Sequence, residues 1–356
     1  MLTTVFLSLL PYQLPVENWQ LSTQLSSLSY AENNSVYDLM KGSMSEYSES
    51  ENAFTFNEVA LSAQYKEFSV SLFKRYEWFL DFSQDTMPFY GSTVNGTHIA
   101  PNKTYDLDLN ASHFDSEGIR FSYLYSAQKF RLYAAASYYQ PNSFLDGNIS
   151  GYVSRKEDCK SETNCYSGQL DLSYFYTEDV LLGRTTPKPI SLYGFGLDIG
   201  GDWSINDNWL LSLLIRDVYS EIVWESAPYT IATAKTATST VVDGHVKLDP
   251  TISGIEKNRT YTQHLPSKTT FRAKYTYNPS HSLSATAFYA YGASLFNLGY
   301  QYHNTNAVYG LTLSPLEEAI GVNYKNRYIN FSVTANPFDL KKSELYGVNI
   351  GFIVPF

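Results

Sequence analysis

Histidine and serine are the side chains of this sequence that would be expected to carry catalytic chemistry. A serine nucleophile requires a histidine within hydrogen-bond reach, and His264 lies close to Ser267 in sequence. Serine is frequent throughout the chain, so this proximity is not specific. No H-x-x-x-H or H-E-x-x-H motif occurs among the histidines, which are His98, His113, His245, His264, His281 and His303. We therefore predict no catalytic residues, no enzymatic activity, no metal ion and no cofactor.

Charged residues within alternating apolar segments form the second chemically informative group. Asp198 and Asp202 lie in one such segment, and Arg272 and Lys274 lie in another. Successive side chains of a strand point to opposite faces, so these charges lie opposite the apolar residues. A sheet that closes on itself would direct the charged face into a lumen. The charged residues predicted to line this lumen are Asp171, Asp198, Asp202, Arg216, Arg272, Lys274, Arg120 and Arg131.

Two functions are compatible with these charges. Acidic and basic sectors that face each other across a lumen would form the constriction of a porin-like channel for small solutes. The same residues would otherwise pair into a salt-bridge network that plugs the lumen. The chain would then be a closed barrel that acts as a surface anchor, an adhesin or an assembly or export partner. In that case Asp81–Gly118 and Ser226–His264 would make the functional contacts.

The elements that would position the charges are strands. Apolar residues alternate with small or polar ones in segments that include Val59–Tyr65, Phe68–Leu72, Phe130–Tyr138, Phe271–Tyr277 and, more weakly, Leu145–Val153. No apolar run reaches the roughly 18 residues of a helical span. A chain that spans a membrane without helices must form a closed barrel, because lipid cannot satisfy an open sheet edge. We predict an all-β fold, a single closed antiparallel transmembrane β-barrel of about 14–16 strands.

Composition supports the same fold class. Aromatic residues make up 16% of the chain, and 31 of them are tyrosines. Tyrosine suits a membrane interface because its ring is apolar and its hydroxyl is hydrated. The formal net charge of −10 argues against a nucleic-acid partner. The expected surroundings are outer-membrane lipid and lipopolysaccharide, and homo-oligomerisation is left open.

The C-terminal segment Tyr346–Phe356 alternates without interruption and ends on an aromatic residue. It resembles the C-terminal signal of Gram-negative outer-membrane β-barrels, which reads polar-x-Gly-x-x-apolar-x-apolar. The positions of this assembly signal are filled here by Asn349, Gly351, Val354 and Phe356. The resemblance implies the bacterial cell outer membrane as the location and the barrel-assembly machinery as a partner. It does not identify a specific family within this class.

Counting strands backward from Phe356 predicts which connections share an end of the barrel. Long connections such as Asp81–Gly118 fall outside the cell, whereas tight turns fall on the periplasmic side. The Cys159–Cys165 loop falls on the periplasmic side in this count. Cys159 and Cys165 are predicted to form a local disulfide, which requires an oxidising compartment. Residues 1–18 are interpreted as a signal peptide or N-terminal segment, and residues 19–356 as the barrel.

Overall fold

The computed structural model describes residues 16–42, 47–157, 165–185, 189–242, 245–337, 339 and 341–356. These residues form sixteen strands, all joined by antiparallel pairs into one sheet, and two short helices. Fourteen strands close into a ring, and β6 and β9 lie outside it. The closed antiparallel barrel that the sequence predicts is therefore confirmed.

The strands are β1 Val16–Ala31, β2 Asn52–Lys66, β3 Phe68–Phe82, β4 Thr104–Ser126, β5 Phe130–Arg155, β6 Tyr166–Tyr176, β7 Ile190–Ser204, β8 Trp209–Val242, β9 His245–Gln263, β10 Lys268–Asn278, β11 His281–Ala290, β12 Ala293–His303, β13 Ala307–Ser314, β14 Ala319–Asn326, β15 Ile329–Asn336 and β16 Leu345–Pro355. The helices are α1 Val36–Lys41 and α2 Thr86–Val94. In the described part of the chain, neither helix has the length and apolar character needed to cross a membrane.

The ring closes where the first and last strands meet. β1 pairs with β16 from Gln20 opposite Pro355 to Tyr30 opposite Leu345. From there the ring follows the chain through β5, continues to β7 and β8, and reaches β10. Strands β10 to β16 then pair in sequence order. The aromatic pair Trp19 and Tyr65 lies near Phe356, and we call this end of the barrel the Phe356 end and the opposite end the distal end.

At two places a strand of the ring and a strand outside it lie end to end along the same neighbour. β6 and β7 both pair with β5 and β8, with β7 toward the Phe356 end and β6 toward the distal end. β9 and β10 both pair with the other edge of β8, with β10 toward the Phe356 end and β9 toward the distal end. The distal halves of β5 and β8, together with β6 and β9, therefore extend the wall beyond the ring.

This arrangement corrects the predicted position of the Cys159–Cys165 loop. The sequence analysis counted Phe130–Tyr138 and Leu145–Val153 as two strands, but both belong to the 26-residue strand β5. β5 starts at the Phe356 end and finishes at the distal end. Arg155 ends β5, and Cys165, the described end of the cysteine loop, lies just before β6 at this distal end, opposite the predicted side.

The two faces of the wall differ as alternation predicts. Leu283, Leu311 and Val322 are exposed on the outer face, whereas Thr286, Thr312 and Asn323 are buried on the inner face. Aromatic pairs on neighbouring strands surround the Phe356 end, at Trp19–Tyr65, Phe68–Tyr123, Phe130–Trp203 and Trp209–Tyr275. An apolar belt bordered by aromatic residues is the exterior of a transmembrane barrel. Barrels of this construction belong to bacterial outer membranes, the location that the sequence predicted.

Candidate functional site

A layer of eight charged side chains crosses the interior of the barrel. It contains four cations and four carboxylates, and each side chain is at most 9% exposed. We call it the charged layer; its members are Arg75, Arg120, Arg216, Lys268, Glu58, Glu77, Asp198 and Asp217. A buried charge is tolerated when it is paired and hydrogen-bonded, and the equal numbers of both signs meet this requirement.

The strands explain how seven of the eight side chains reach the interior. Arg75 and Glu77 are two residues apart on β3, so they share the inner face. Asp217 follows Arg216 directly and would point outward in a regular strand. Its backbone instead has a φ of 53°, and its N–H donates to a carboxylate oxygen of Asp198 at 2.8 Å. This β-bulge in β8 turns two consecutive side chains inward.

Glu58 is the centre of the first half of the charged layer. Arg120 donates to its two carboxylate oxygens at 3.0 and 2.8 Å, and Arg216 donates to both at 2.9 Å. Asp198 lies 3.8 Å from Arg120 and 3.9 Å from Arg216. Two guanidinium groups are therefore shared between two carboxylates.

Asp217 and Glu77 are the acceptors of the second half. Arg75 donates to both carboxylates, and Lys268 lies 2.8 Å from Asp217 and 3.1 Å from Glu77. The Tyr139 hydroxyl donates to Asp217 at 3.0 Å, and the Tyr291 hydroxyl donates to Glu77 at 2.5 Å. Two tyrosines from other parts of the wall thus complete the hydrogen bonding of this half.

Phe56 fills the space between the two halves. Its side chain is fully buried, and Arg216, Arg75 and Lys268 lie 5.0, 5.1 and 5.6 Å from the ring centroid. Cations near an aromatic face gain favourable electrostatic energy, particularly where water is excluded. One ring therefore packs against three of the four cations of the layer.

The charged layer closes this part of the lumen. Its contacts join β2 to β8 and β3 to Tyr291 in the turn between β11 and β12, which lies across the ring. Side chains fill the interior of a barrel of about eight strands, whereas wider barrels leave space. Fourteen strands make a wider ring, so long side chains and a central phenylalanine are needed to bridge it.

The interior on the distal side of the charged layer is apolar and aromatic. One cluster packs around Phe54, Phe288 and Leu295, and a second packs around Phe144 and Trp224. The rings of Phe144 and Trp224 stack at 4.3 Å between centroids. These apolar side chains border the charged layer on its distal side.

Asp146 lies in the distal extension of β5, opposite Phe175 of β6, and gives the molecule a pH dependence. Burial raises the pKa of Asp146 from 3.8 to about 6, although Tyr261 and His264 oppose this shift. The folded protein therefore holds a proton that the unfolded chain releases at lower pH. The stability that this proton provides is present below pH 3.8 and is lost as the pH rises through about 6.

We expect Asp146→Asn to remove this loss, which amounts to about 1–3 kcal/mol. Denaturant titrations of the folded protein at pH 4, 5, 6 and 7 would measure it. Asp106→Asn changes an exposed carboxylate of β4 and is the matched control. If the stability of wild type and Asp146→Asn changes in parallel over this range, Asp146 does not cause the dependence.

The interior between the charged layer and the Phe356 end is mainly polar, and we call it the vestibule. Buried inward-facing residues along it are Gln20, Ser22, Gln64, Ser71, Ser122, Ser212, Ser282 and Gln301. One small apolar cluster, centred on Tyr133 and Leu214, interrupts this lining. The vestibule is thus lined mainly by polar side chains, unlike the distal interior.

The structure divides the eight predicted lumen residues into three groups. Asp198, Arg120 and Arg216 belong to the charged layer. Four others point into the vestibule, namely Asp202, Arg131, Arg272 and Lys274. Asp171 joins neither group, because it is exposed on β6, outside the ring, where it accepts hydrogen bonds from Thr233 at 2.6 Å and Gln169 at 3.0 Å.

Five members of the charged layer were absent from the sequence prediction. They are Glu58, Arg75, Glu77, Asp217 and Lys268. Glu58 comes one residue before the segment Val59–Tyr65, and Arg75 comes three residues after Phe68–Leu72. Extending the inner-face alternation past the ends of these segments would have found both residues.

The residues of the predicted assembly signal lie along β16 and at the Phe356 end, and Cys165 lies at the distal end. Asn349 is buried and donates to the Ser26 hydroxyl at 3.0 Å, whereas Val354 and Phe356 are exposed on the outside. The Phe356 N–H donates to the Trp19 carbonyl at 2.9 Å, which continues the pairing of β16 with β1. Cys165 is disulfide-bonded and buried, and Cys159 lies outside the described residues.

Comparisons with solved structures find membrane channels and transporters at low similarity. The Pseudomonas putida toluene transporter TodX is 10% identical, with a TM-score of 0.41 over 95% of this chain and 88% of the other. The Ralstonia pickettii toluene transporter TbuX is 11% identical, with a TM-score of 0.34 over 96% and 90% of the two chains. An outer membrane channel from Pseudomonas putida F1 is 9% identical, with a TM-score of 0.25 over 97% of each chain. Neither family models nor curated proteins match the sequence.

Proposed function

We propose that this protein is an outer-membrane channel for small solutes and that the structure represents its closed state. The Phe356 end would face the periplasm, and the long connections at the distal end would face the outside. The observation that carries the proposal is the charged layer, a thin polar barrier between a polar vestibule and an apolar distal interior. The chain would act by transport and not by catalysis.

The thinness of the barrier supports a gate more than a permanent plug. Each contributing strand supplies one or two inward charges, and the next inward residues toward the vestibule are short, such as Ser122 below Arg120. Replacing buried ion pairs by apolar side chains of similar volume is often neutral or stabilising. A barrel that served solely as an anchor would have no need of eight buried charges. Ion pairs between side chains can also separate without breaking the backbone pairing of the wall.

A paired truncation would test the gate while preserving charge balance. Arg75→Ser combined with Asp217→Ser removes one cation and one carboxylate and leaves the 3.1 Å pair of Lys268 and Glu77. Removing both partners avoids an unpaired buried charge. In planar lipid bilayers, we expect wild type to be mostly closed and the double variant to show long-lived conducting openings.

The neighbouring ion pair provides the matched control. Lys74 and Glu117 lie 3.3 Å apart, and both side chains are 59% exposed. Lys74→Ser combined with Glu117→Ser removes the same numbers of charges from the outside of the wall and should conduct as wild type does. If folded wild type and the Arg75→Ser/Asp217→Ser variant are both silent, transport is excluded and the barrel acts as an anchor or interaction surface.

A further inference from the structure

The wall is irregular where β7 and β8 pass the charged layer. Regular pairing stops at Leu197, opposite Tyr219, and resumes at Ile199, opposite Ile215. Between these two pairs β7 has one residue, Asp198, whereas β8 has three. The three residues of β8 are Arg216, Asp217 and Val218. Extra residues in one strand interrupt the hydrogen bonds of the ladder, so the backbone of β8 lacks its regular strand partner here.

The bulge exchanges the faces of two residues of β8. In a regular strand that continues from Arg216, Asp217 would face lipid and Val218 would face the interior. In the structure Asp217 is 2% exposed, whereas Val218 is 44% exposed. The bulge therefore directs the carboxylate to the charged layer and the apolar side chain to the outside. The φ of 53° at Asp217 is uncommon for a residue other than glycine, so a contact that holds the bulge also holds the carboxylate in place.

Asp198 supplies such a contact. One of its carboxylate oxygens accepts the N–H of Asp217 at 2.8 Å. Its other oxygen lies 3.8 Å from Nε of Arg120 and 3.9 Å from Nε of Arg216, which is beyond the usual hydrogen-bond distance. The shortest of these three contacts is therefore made to the backbone of the bulge and not to a cation.

Gly196, on the same face of β7, acts on Asp217 through Tyr139. A Cβ atom at position 196 would lie 2.6 Å from the Tyr139 hydroxyl oxygen, closer than Cβ atoms approach other atoms in proteins. The Tyr139 ring is buried and packs edge-on against Phe73 and Phe114, which leaves it little room to move aside. The glycine therefore provides the space from which the hydroxyl donates to Asp217 at 3.0 Å.

From these contacts we infer that Asp198 and Gly196 are positioning residues of the charged layer and that β7 fixes the closed position of Asp217. The inference rests on the proposed channel function and assigns the control of its gate to one strand of the wall. Asp198 holds the backbone of the bulge, and Gly196 admits the tyrosine that donates to the carboxylate. In this role the hydrogen-bond acceptor of Asp198 matters more than its charge.

A conservative substitution separates the acceptor from the charge. Asp198→Asn keeps a side-chain oxygen that can accept the Asp217 N–H, whereas Asp198→Ala removes both acceptor and charge. Amide hydrogen exchange of the detergent-folded protein, followed by NMR, reports on this bond. We expect the Asp217 amide to exchange at least about tenfold faster in Asp198→Ala than in wild type, and within about threefold of wild type in Asp198→Asn. Unchanged exchange in Asp198→Ala would overturn the inference.

Planar-bilayer recordings test the consequence for the gate. Asp198→Ala should show long-lived openings, as Arg75→Ser/Asp217→Ser does, and Asp198→Asn should stay mostly closed. Equal opening of Asp198→Ala and Asp198→Asn would overturn the inference, and so would a closed Asp198→Ala beside a conducting Arg75→Ser/Asp217→Ser. If the Asp217 amide responds as expected and no variant conducts, the positioning role is supported and the proposed channel function fails.

The role of Gly196 has a test that requires neither conduction nor the folding of Asp198→Ala. In denaturant titrations, Gly196→Ala should lower the midpoint of unfolding in wild type. Its effect should be less than half as large in a Tyr139→Phe background, about a twofold reduction or more, because that variant already lacks the hydroxyl. Gly347→Ala is the matched control, since a Cβ atom there would lie no closer than 3.7 Å to its neighbours. Additive effects of Gly196→Ala and Tyr139→Phe would overturn the role of Gly196.

Discussion

Replacing Asp217 by asparagine is expected to lower the free energy of unfolding by about 3–5 kcal/mol. Asp217 is fully buried and is the shared acceptor of Arg75, Lys268 and Tyr139. The asparagine side chain has nearly the same shape but no charge. Two buried cations would then have one remaining carboxylate, Glu77, and an uncompensated buried charge is strongly destabilising.

Denaturant titration of the barrel in lipid vesicles, followed by tryptophan fluorescence, would measure this loss. Glu117→Gln makes the equivalent change in an exposed ion pair on the outside of β4 and should cost less than about 1 kcal/mol. Equal effects of the two substitutions would show that the charged layer is hydrated, contrary to its burial in the structure.

Phe56→Ala is expected to destabilise the barrel by a similar amount, about 3–5 kcal/mol. The side chain is fully buried, and its removal leaves a cavity between Glu58 with its arginines and Asp217 with its cations. The substitution also removes the aromatic ring that three cations contact. Because one substitution both creates a cavity and removes the cation–aromatic contacts, we expect Phe56 to be the apolar residue of the layer whose replacement lowers stability most.

Phe121→Ala is the matched control, because Phe121 is a strand phenylalanine on the outer face that is 57% exposed. It should cost clearly less than Phe56→Ala in the same vesicle titration, since lipid fills the space that the ring leaves. Phe56→Leu should recover part of the stability through its volume. If alanine is tolerated at position 56 as well as at position 121, the ring does not support the layer.

The alternation of apolar and polar residues correctly predicted which side chains face outward and inward wherever the outer face is apolar and the inner face is polar. Phe271, which points outward, and Arg272, which points inward, are placed correctly by their order alone. The same reasoning found Asp198 and Arg120 as interior charges. The contrast between apolar exterior and polar interior exists because one face meets lipid and the other meets water.

Alternation failed toward the distal end, where the contrast disappears. Lys74 is exposed and Arg75 is buried. Both residues are charged, so the sequence shows no apolar–polar contrast between the outer and the inner position. The interior becomes aromatic at the same level, with Phe56 and Phe73 on the inner face. Segments that are defined by apolar and polar alternation therefore end before the residues that close the lumen.

Two further features depend on backbone geometry that the sequence does not reveal. The positive φ of Asp217 places it inside, although its neighbour Arg216 already occupies the inner position. The end-to-end arrangement of β6 and β7 moves Asp171 out of the ring. Strand counting assumes that each segment reverses direction, and this assumption fails between β6 and β7.

The contacts of the charged layer also constrain the order in which the molecule folds. Arg75 and Asp217 are 142 residues apart, Glu58 and Arg216 are 158 apart, and Glu77 and Tyr291 are 214 apart. Contacts of such separation form late, because a long loop must first be closed. The charges of β2 and β3 must therefore stay hydrated until β8 and β10 arrive. Water would leave the centre of the barrel when these two strands pack against β2 and β3.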